Sequence, residues 1–455
     1  MKLIGFALIL LFQSGAWADQ ANVRLAKAAR LEEAGFLVAA FDEYAPLIRG
    51  GGTTLPYFRA VEASVRVQQQ LGDEYLIPTF LSREANEEGP MLSRGTLSYL
   101  HYLKAVVRQR KGDLDRAKVL LESVSLDSRM YSKAQYLLGV IKADPRWIGD
   151  PQSKSMQSIA HFRQVLNLNI PNQSDSDQIK PLAALGLGRV YYGLKRYPEA
   201  ISAYKKIARF SPFWEQALFE ESFAKFQGDD VGGALGLLQT LHAPQYLGAF
   251  QPESWILKGT LYHLQCLYDE SRVSLDVFDR TYLPINKVIS DLLEHSKDPS
   301  ISLLGWTERE DQSPLPKPLF LWVAHNRRIE YVKRTLAEVD RERSALGSDF
   351  QEDLKANREV LNQVGNQLVK NRLVEAQQMI KNLANQGDII RFESSKAEKN
   401  ILEAHRDQST ILNQQTLKRP EVPGQDWNYW KFQGEFWLDE MGYYQYAVKN
   451  GCPRH

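Results

Sequence analysis

Cysteine is scarce in this chain: Cys266 and Cys452 are the only two among 455 residues. Two cysteines exclude a disulfide framework and a cysteine-rich metal module. They leave open either one bond or two free thiols. An excess of one charge sign is also missing. The 56 basic and 55 acidic residues nearly cancel, which argues against nucleic acid or a polybasic membrane surface as the main partner. Beyond the N-terminus no stretch approaches 18 apolar residues, so the mature protein is expected to be soluble, with no transmembrane segment. HExxH and the GxSxG elbow are absent too, which removes two common hydrolase signatures. Gly186-Leu187-Gly188 with Gly193 has the look of a phosphate-loop fragment. It lies inside a helical pattern and follows no strand, so it carries no such meaning. Nothing in the sequence calls for a cofactor, a metal or a catalytic residue.

What is present begins with an export signal. Lys2 supplies the positive start, Leu3 to Phe12 an apolar core, and Ala16-Trp17-Ala18 small residues at the −3 and −1 positions. This pattern predicts a signal peptide over 1–18, cleaved before Asp19. An uncleaved anchor is the alternative, and the apolar run is short for it. No cysteine lies near the cleavage site, so lipoprotein modification is not indicated. The expected location is the periplasm, where a disulfide is allowed.

The chain is organised around Pro181 to Pro212. Two helix-length patterns flank the turn Lys195-Arg196-Tyr197-Pro198. Leu187, Gly188 and Tyr191 mark the first helix. Ala200, Tyr204 and Ile207 mark the second, and Pro212 is expected to stop it. This stretch resembles a tetratricopeptide repeat, a 34-residue helix–turn–helix unit with small and aromatic residues at fixed offsets. Only the Trp of the fourth position is missing, replaced by Ala184. The period extends both ways. Ala28, Ala40 and Tyr44 mark a degenerate first pair closed by Pro46, and Gly72-Asp73 the turn of a second. Ala105, Lys111-Gly112-Asp113 and Ala117 mark a third. Leu138-Gly139 opens a fourth, whose second helix is read as Ser158 to Leu166 after an insert, Asp144 to Ser155, that contains Trp147. Gly228-Asp229-Asp230 is the turn of the pair after Pro212. The last pair carries Trp255, Gly259, Tyr262, Ser271, Leu275 and Phe278, with Pro284 expected to close it. The resemblance implies an all-α fold: a superhelix of helix pairs over 19–295, each pair burying its apolar face against its neighbours. A disulfide, if formed, would tie the C-terminus to the last of these pairs.

The remaining organisation follows from composition. Residues 296–319 hold Pro299, Pro314, Pro316 and Pro318 and read as a linker or cap. Residues 320–417 lack proline and place Leu336, Val339, Leu346, Phe350, Leu361, Val364 and Leu368 near heptad spacing. They predict a long helical hairpin or coiled-coil-like module of two or three helices, with Gly347, Gly365 and Gly387 as candidate breaks. Residues 418–455 form an aromatic tail. Trp427, Trp430, Trp437 and Tyr444 lie at helical spacing, which predicts one helix face. That face is either a terminal cap or a docking face for another envelope protein.

In tetratricopeptide repeats the first helix of each pair lines a groove. The resemblance therefore implies groove positions at Tyr99, Tyr102, Arg189, Tyr192, Phe219, Phe223, Phe226 and His263. An apolar groove takes a helix or an extended peptide, unless the chain's own C-terminal helices fill it. His263 and Cys266 lie three apart on a helical pattern, but two ligands do not make a zinc site. Glu221-Ser222 is similar to the acid motif of lytic transglycosylases, which are helical superhelices of the same compartment. Those enzymes need a lysozyme-like domain around the Glu, and about 35 residues after 420 are too few to supply it. The whole plan also resembles periplasmic repeat proteins of deltaproteobacteria and predatory bacteria, including those associated with gliding motility. The expectation is a non-enzymatic scaffold that binds other envelope proteins or peptides. An assembly cofactor for outer-membrane or cell-wall machinery and a peptidoglycan-active enzyme are the alternatives.

Overall fold

The computed structural model describes residues 20–49, 51–86, 91–168, 176–246, 248–298, 300–404, 434–448 and 450–452. Among these residues the chain is all-helical, with seventeen α-helices that pack in adjacent pairs and no strand. The first pair is α1 (20–33) with α2 (Leu37–Ile48), and the second α3 (Leu55–Leu71) with α4 (Leu76–Glu84). Next come α5 (Arg94–Arg110) with α6 (Leu114–Glu122), and α7 (Tyr131–Ala143) with α8 (Pro151–Asn167). Three more pairs follow: α9 (Ser176–Gly193) with α10 (Tyr197–Tyr204), α11 (Trp214–Gln227) with α12 (Val231–Leu241), and α13 (Pro252–Leu264) with α14 (Tyr268–His295). Then come α15 (Lys317–Ala324), α16 (Arg327–Ala345) and α17 (Gln351–Ala404), the last of 54 residues. No helix among the described residues is long and apolar enough to cross a membrane.

One backbone feature recurs in the turns between paired helices. In every pair except α7–α8 a residue in the left-handed region ends the first helix. Gly35 and Gly112 supply it at φ +81°, where a glycine meets no Cβ penalty. Lys195, Asp229 and Cys266 hold the same region at +58°, +69° and +56°, at some steric cost. Small residues then let the two helices of a pair close up. A Cβ on Gly188 of α9 would stand 2.4 Å from the Tyr204 ring of α10. The aromatic knob and its glycine hole therefore come together, and Ala200, Ala203 and Tyr204 are buried there.

The chain divides into two compact units. Unit 1 contains residues up to Gly186, Ser302–Gly305 and Ala324–Val369; unit 2 contains Leu187–Ile301, Trp306–Val323 and the chain from Lys370 onward. In unit 1, α16 closes the exposed start of α2. The buried Glu342 carboxylate accepts hydrogen bonds from the backbone N–H of Val38 and Ala39 at 2.9 and 2.8 Å, donors that a helix start leaves unpaired. Asp73, also buried, caps α4 through Tyr75, Leu76 and Ile77. In unit 2, α17 packs on the last helix pair. Arg391 pairs with Asp276 and Asp279 of α14, and Arg272 with Glu398. The Arg372 guanidinium lies 3.1 Å from the ring centre of Trp322 on α15.

Several boundaries differ from those the sequence predicts, each for a visible reason. Pro46 and Pro284 lie inside α2 and α14 and do not end them. In α14 the buried stripe Leu275, Phe278, Tyr282, Ile285 and Ile289 runs straight through the proline, and that burial outweighs the roughly 3 kcal/mol a mid-helix proline costs. The second helix of the fourth pair starts at Pro151, capped by the Asp150 side chain, so the insert shrinks to residues 144–150. The helix before Pro212 ends at Tyr204, well short of that proline. Gly365 and Gly387 do not break α17. They admit neighbours instead: a Cβ on Gly365 would meet Leu304 at 2.7 Å, and one on Gly387 would meet Ile256 at 3.5 Å.

Candidate interaction site

The groove residues expected from the repeat fall into two groups. Tyr99 and Tyr102 belong to unit 1. Tyr99 is buried, at 4% exposure, and burial with Glu74 and Asp73 nearby raises its hydroxyl pKa. It is a core residue of α5 and cannot line an open groove. The reason is local: α5 packs against α4, so this ring is covered. Tyr102 is half-buried.

The other six lie in unit 2. Phe219, Phe223 and Phe226 sit four and three residues apart on α11, which puts them on one face. All three are half-buried. Phe219 and Phe223 meet edge to face, with ring centres 5.2 Å apart at 89°, an arrangement worth about 1 kcal/mol beyond area alone. The exposed Arg189 of α9 reaches Glu220 of α11 with two hydrogen bonds of 2.9 and 2.5 Å. Gln216 also donates to Glu220, at 3.0 Å. Tyr192 is half-buried, 5.7 Å from the ring of Tyr197. Together these residues make a ring-rich, part-exposed face beside a two-point ion pair. His263 of α13 departs from the group. Its Nδ1 lies 2.8 Å from Ser394 Oγ of α17, so the chain's own helix occupies that position.

The aromatic tail corrects a second expectation. Trp427 and Trp430 lie outside the described residues. Trp437 and Tyr444 are not on a helix. From Gly434 to Val448 the chain makes turns and then runs extended. Gly434 and Gly442 adopt φ of +104° and +90°, which a helix cannot include. Trp437 is 60% exposed, whereas Tyr444 is half-buried.

The extended part lies on α12. Arg209 Nη2 donates to the carbonyls of Leu438, Asp439 and Met441 at 2.6, 3.3 and 2.9 Å. Its guanidinium stacks near Phe210, Trp214 and Tyr443. Met441 is wholly buried. Gly442 N–H donates to Thr240 Oγ1 at 2.8 Å, Tyr446 N–H to the Gly232 carbonyl at 3.1 Å, and the Tyr446 hydroxyl to Gln239 at 2.9 Å. The tail backbone presses so close that a Cβ on Gly236 would fall 1.7 Å from the Tyr444 carbonyl oxygen. Gly451 N–H then donates to the Gln265 carbonyl at 2.8 Å, and Cys452 forms a disulfide with Cys266. Cys266 is thereby unavailable as a metal ligand. The sequence reading missed Arg209, Gly232 and Gly236. A signal was present in the glycines, since each inside a helix costs about 1 kcal/mol unless another backbone needs the space.

Glu221 sits between the ring face and the core of unit 2. It is 4% exposed, and its Oε1 has no hydrogen-bond partner among the described residues. Burial pushes its pKa up to about 7, against the pull of Lys205 and Lys225. Lys205 Nζ stands 4.0 Å away. The carboxyl is therefore about half protonated at pH 7, yet it is buried and not open to solvent.

Compared with known proteins, the chain matches no family model and no curated protein.

Proposed function

We propose that this protein is a non-enzymatic tetratricopeptide-type scaffold of the cell envelope, exported by its N-terminal signal, which binds another envelope protein or peptide through the face of α9 and α11. The observation that carries the reading is the part-exposed ring stripe Phe219, Phe223 and Phe226 beside the Arg189–Glu220 pair. Part-exposed rings next to a fixed ion pair suit a helix or extended segment with apolar side chains and one polar anchor. A role in assembling outer-membrane or cell-wall machinery, or in gliding motility, is the class of process such a scaffold serves. Crosslinked capture from the envelope tests the reading. A Phe219→Ser, Phe223→Ser, Phe226→Ser chain with an unchanged circular dichroism spectrum is expected to lose partners that the wild type retains. Identical partners in the two samples would refute the groove assignment.

Glu221 supports a second reading as a peptidoglycan-active enzyme, because a carboxyl with a pKa near 7 is suited to general acid work. Its burial weighs against that reading, since a general acid must reach the leaving oxygen within hydrogen-bond distance. Digestion of purified peptidoglycan by the wild type but not by Glu221→Gln would establish the enzymatic alternative.

A further inference from the structure

The extended tail is bound the way a peptide ligand is bound. It has a buried anchor in Met441. It has main-chain hydrogen bonds at Gly442 and Tyr446, a clamp on three of its carbonyls by Arg209, and a backbone-to-backbone approach at Gly232 and Gly236. One polar group of the arrangement is nevertheless left without a partner among the described residues, Arg209 Nε. The fit is thus incomplete on the clamp side, and a buried orphan weakens it. The far end is held covalently by a disulfide between two half-exposed cysteines. Cys266 is one of the left-handed non-glycine turn residues, so the bond is attached at a strained, accessible turn.

We propose that the α12 face formed by Gly232, Gly236, Gln239 and Thr240, with Arg209 as clamp, is an exchangeable peptide site whose resident is the chain's own tail, and that the Cys266–Cys452 disulfide determines when an extended segment of another protein replaces it. This rests on the reading of the chain as an interaction scaffold, and it adds a second surface with its own ligand chemistry. The ligand is an extended segment with a buried apolar anchor, a glycine next to it, and tyrosines two and four residues after that glycine, as in Met441-Gly442-Tyr443-Tyr444-Gln445-Tyr446. Glycine is favoured beside the anchor because φ there is +90°, which residues with a Cβ rarely adopt, and a Cβ at 442 would also stand 3.1 Å from the Trp214 ring. Opening is a thiol–disulfide exchange with a dithiol reductant. One thiolate of the reductant attacks Cys452 Sγ, and Cys266 leaves as thiolate and takes up a proton. The second reductant thiol resolves the mixed disulfide, leaving the reductant oxidised and both protein cysteines as thiols. Once the end is free, the tail still competes through its high local concentration, but it now detaches and rebinds.

The test uses the full chain and a fluorescein-labelled synthetic peptide with the sequence of residues 437–448, which contains no cysteine. Met441→Asp combined with Cys452→Ser gives a chain whose own tail is undocked while the site is intact. The peptide is expected to bind this variant saturably. It should bind dithiothreitol-reduced wild type at least tenfold more tightly than the oxidised wild type, by fluorescence anisotropy. Adding Gly236→Val to the double variant should abolish binding, because the side chain fills the backbone's place. Adding Phe223→Ser should leave it unchanged, which separates this site from the ring face of α9 and α11. Absence of binding to the double variant with a native circular dichroism spectrum overturns the proposal. Equal affinity in both redox states overturns the role of the disulfide, and binding that survives Gly236→Val overturns the location.

Discussion

Glu342 shows how much a single residue does here. It is fully buried on α16, yet its carboxylate serves the Val38 and Ala39 amides in the first turn of α2. Glu342→Ala removes both acceptors and leaves two buried N–H groups unpaired, so urea denaturation should register a loss of about 2–4 kcal/mol. Glu342→Gln keeps one acceptor oxygen and should lose less than half as much. Equal losses for the two would mean that packing volume, not capping, sets the cost. Lys195 gives a prediction of opposite sign. Its φ of +58° costs a residue with a Cβ about 1–2 kcal/mol, while glycine costs about 0.5–1 kcal/mol in the unfolded chain. Lys195→Gly should therefore stabilise the protein by about 0.5–1 kcal/mol, read as a rise in melting temperature. A fall would show that the Lys195 side chain makes a compensating contact.

At the scale of the element, α12 and the tail form the part most open to manipulation. Gly236→Val alone, in the oxidised chain, improves the intrinsic helix propensity of α12 while forcing the tail off at Tyr444. Hydrogen exchange at the Tyr446 amide, which donates to Gly232, should accelerate at least tenfold while the amides of α12 keep their protection. Loss of α12 protection as well would mean that the tail is a structural part of the helix pair. The same pair explains what could be read from the sequence. The helix pairs were legible because the spacing of Gly188, Ala200 and Tyr204, repeated in the neighbouring pairs, reflects packing between neighbours in sequence, where pattern and contact coincide. The tail was misread because its aromatics stand three and four apart, as on a helix. Its conformation is decided by Gly434 and Gly442 and by α12, some 200 residues earlier. Long-range acceptance of this kind leaves no periodic trace. His263 was named as a groove residue for the same reason: its offset in the repeat is local information, whereas Ser394 on α17 is not.

At the scale of the whole molecule, stability should depend on pH through carboxyls buried in both units. Asp42 in unit 1 is pushed up to about 7, mainly by burial and further by Asp353, Glu342 and Glu43, against the two hydrogen bonds it accepts from Asn357 at 2.9 Å. Glu221 in unit 2 is likewise pushed up to about 7. Their pKa values in the unfolded chain are about 4. Between pH 4 and 7 the folded state therefore holds more protons than the unfolded state, and stability falls as pH rises through that window. For each group the contribution is present in full below pH 4 and lost above about 8, with a ceiling of about 4 kcal/mol. His242 and His161 act in the opposite sense, because burial lowers their pKa values and the unfolded chain protonates first on acidification. The wild-type profile alone thus mixes both signs, and the informative quantity is a difference. Asp42→Asn keeps the shape and the contact with Asn357 but cannot ionise. It should match the wild type near pH 5 within about 1 kcal/mol and exceed it by about 1–3 kcal/mol at pH 8, measured by urea denaturation at both pH values. Glu221→Gln should behave in the same way through unit 2, and the two effects should add, since the groups lie in different units and share no partner. Parallel wild-type and variant profiles from pH 5 to 8 would show that these carboxyls ionise in the folded protein as freely as in the unfolded chain.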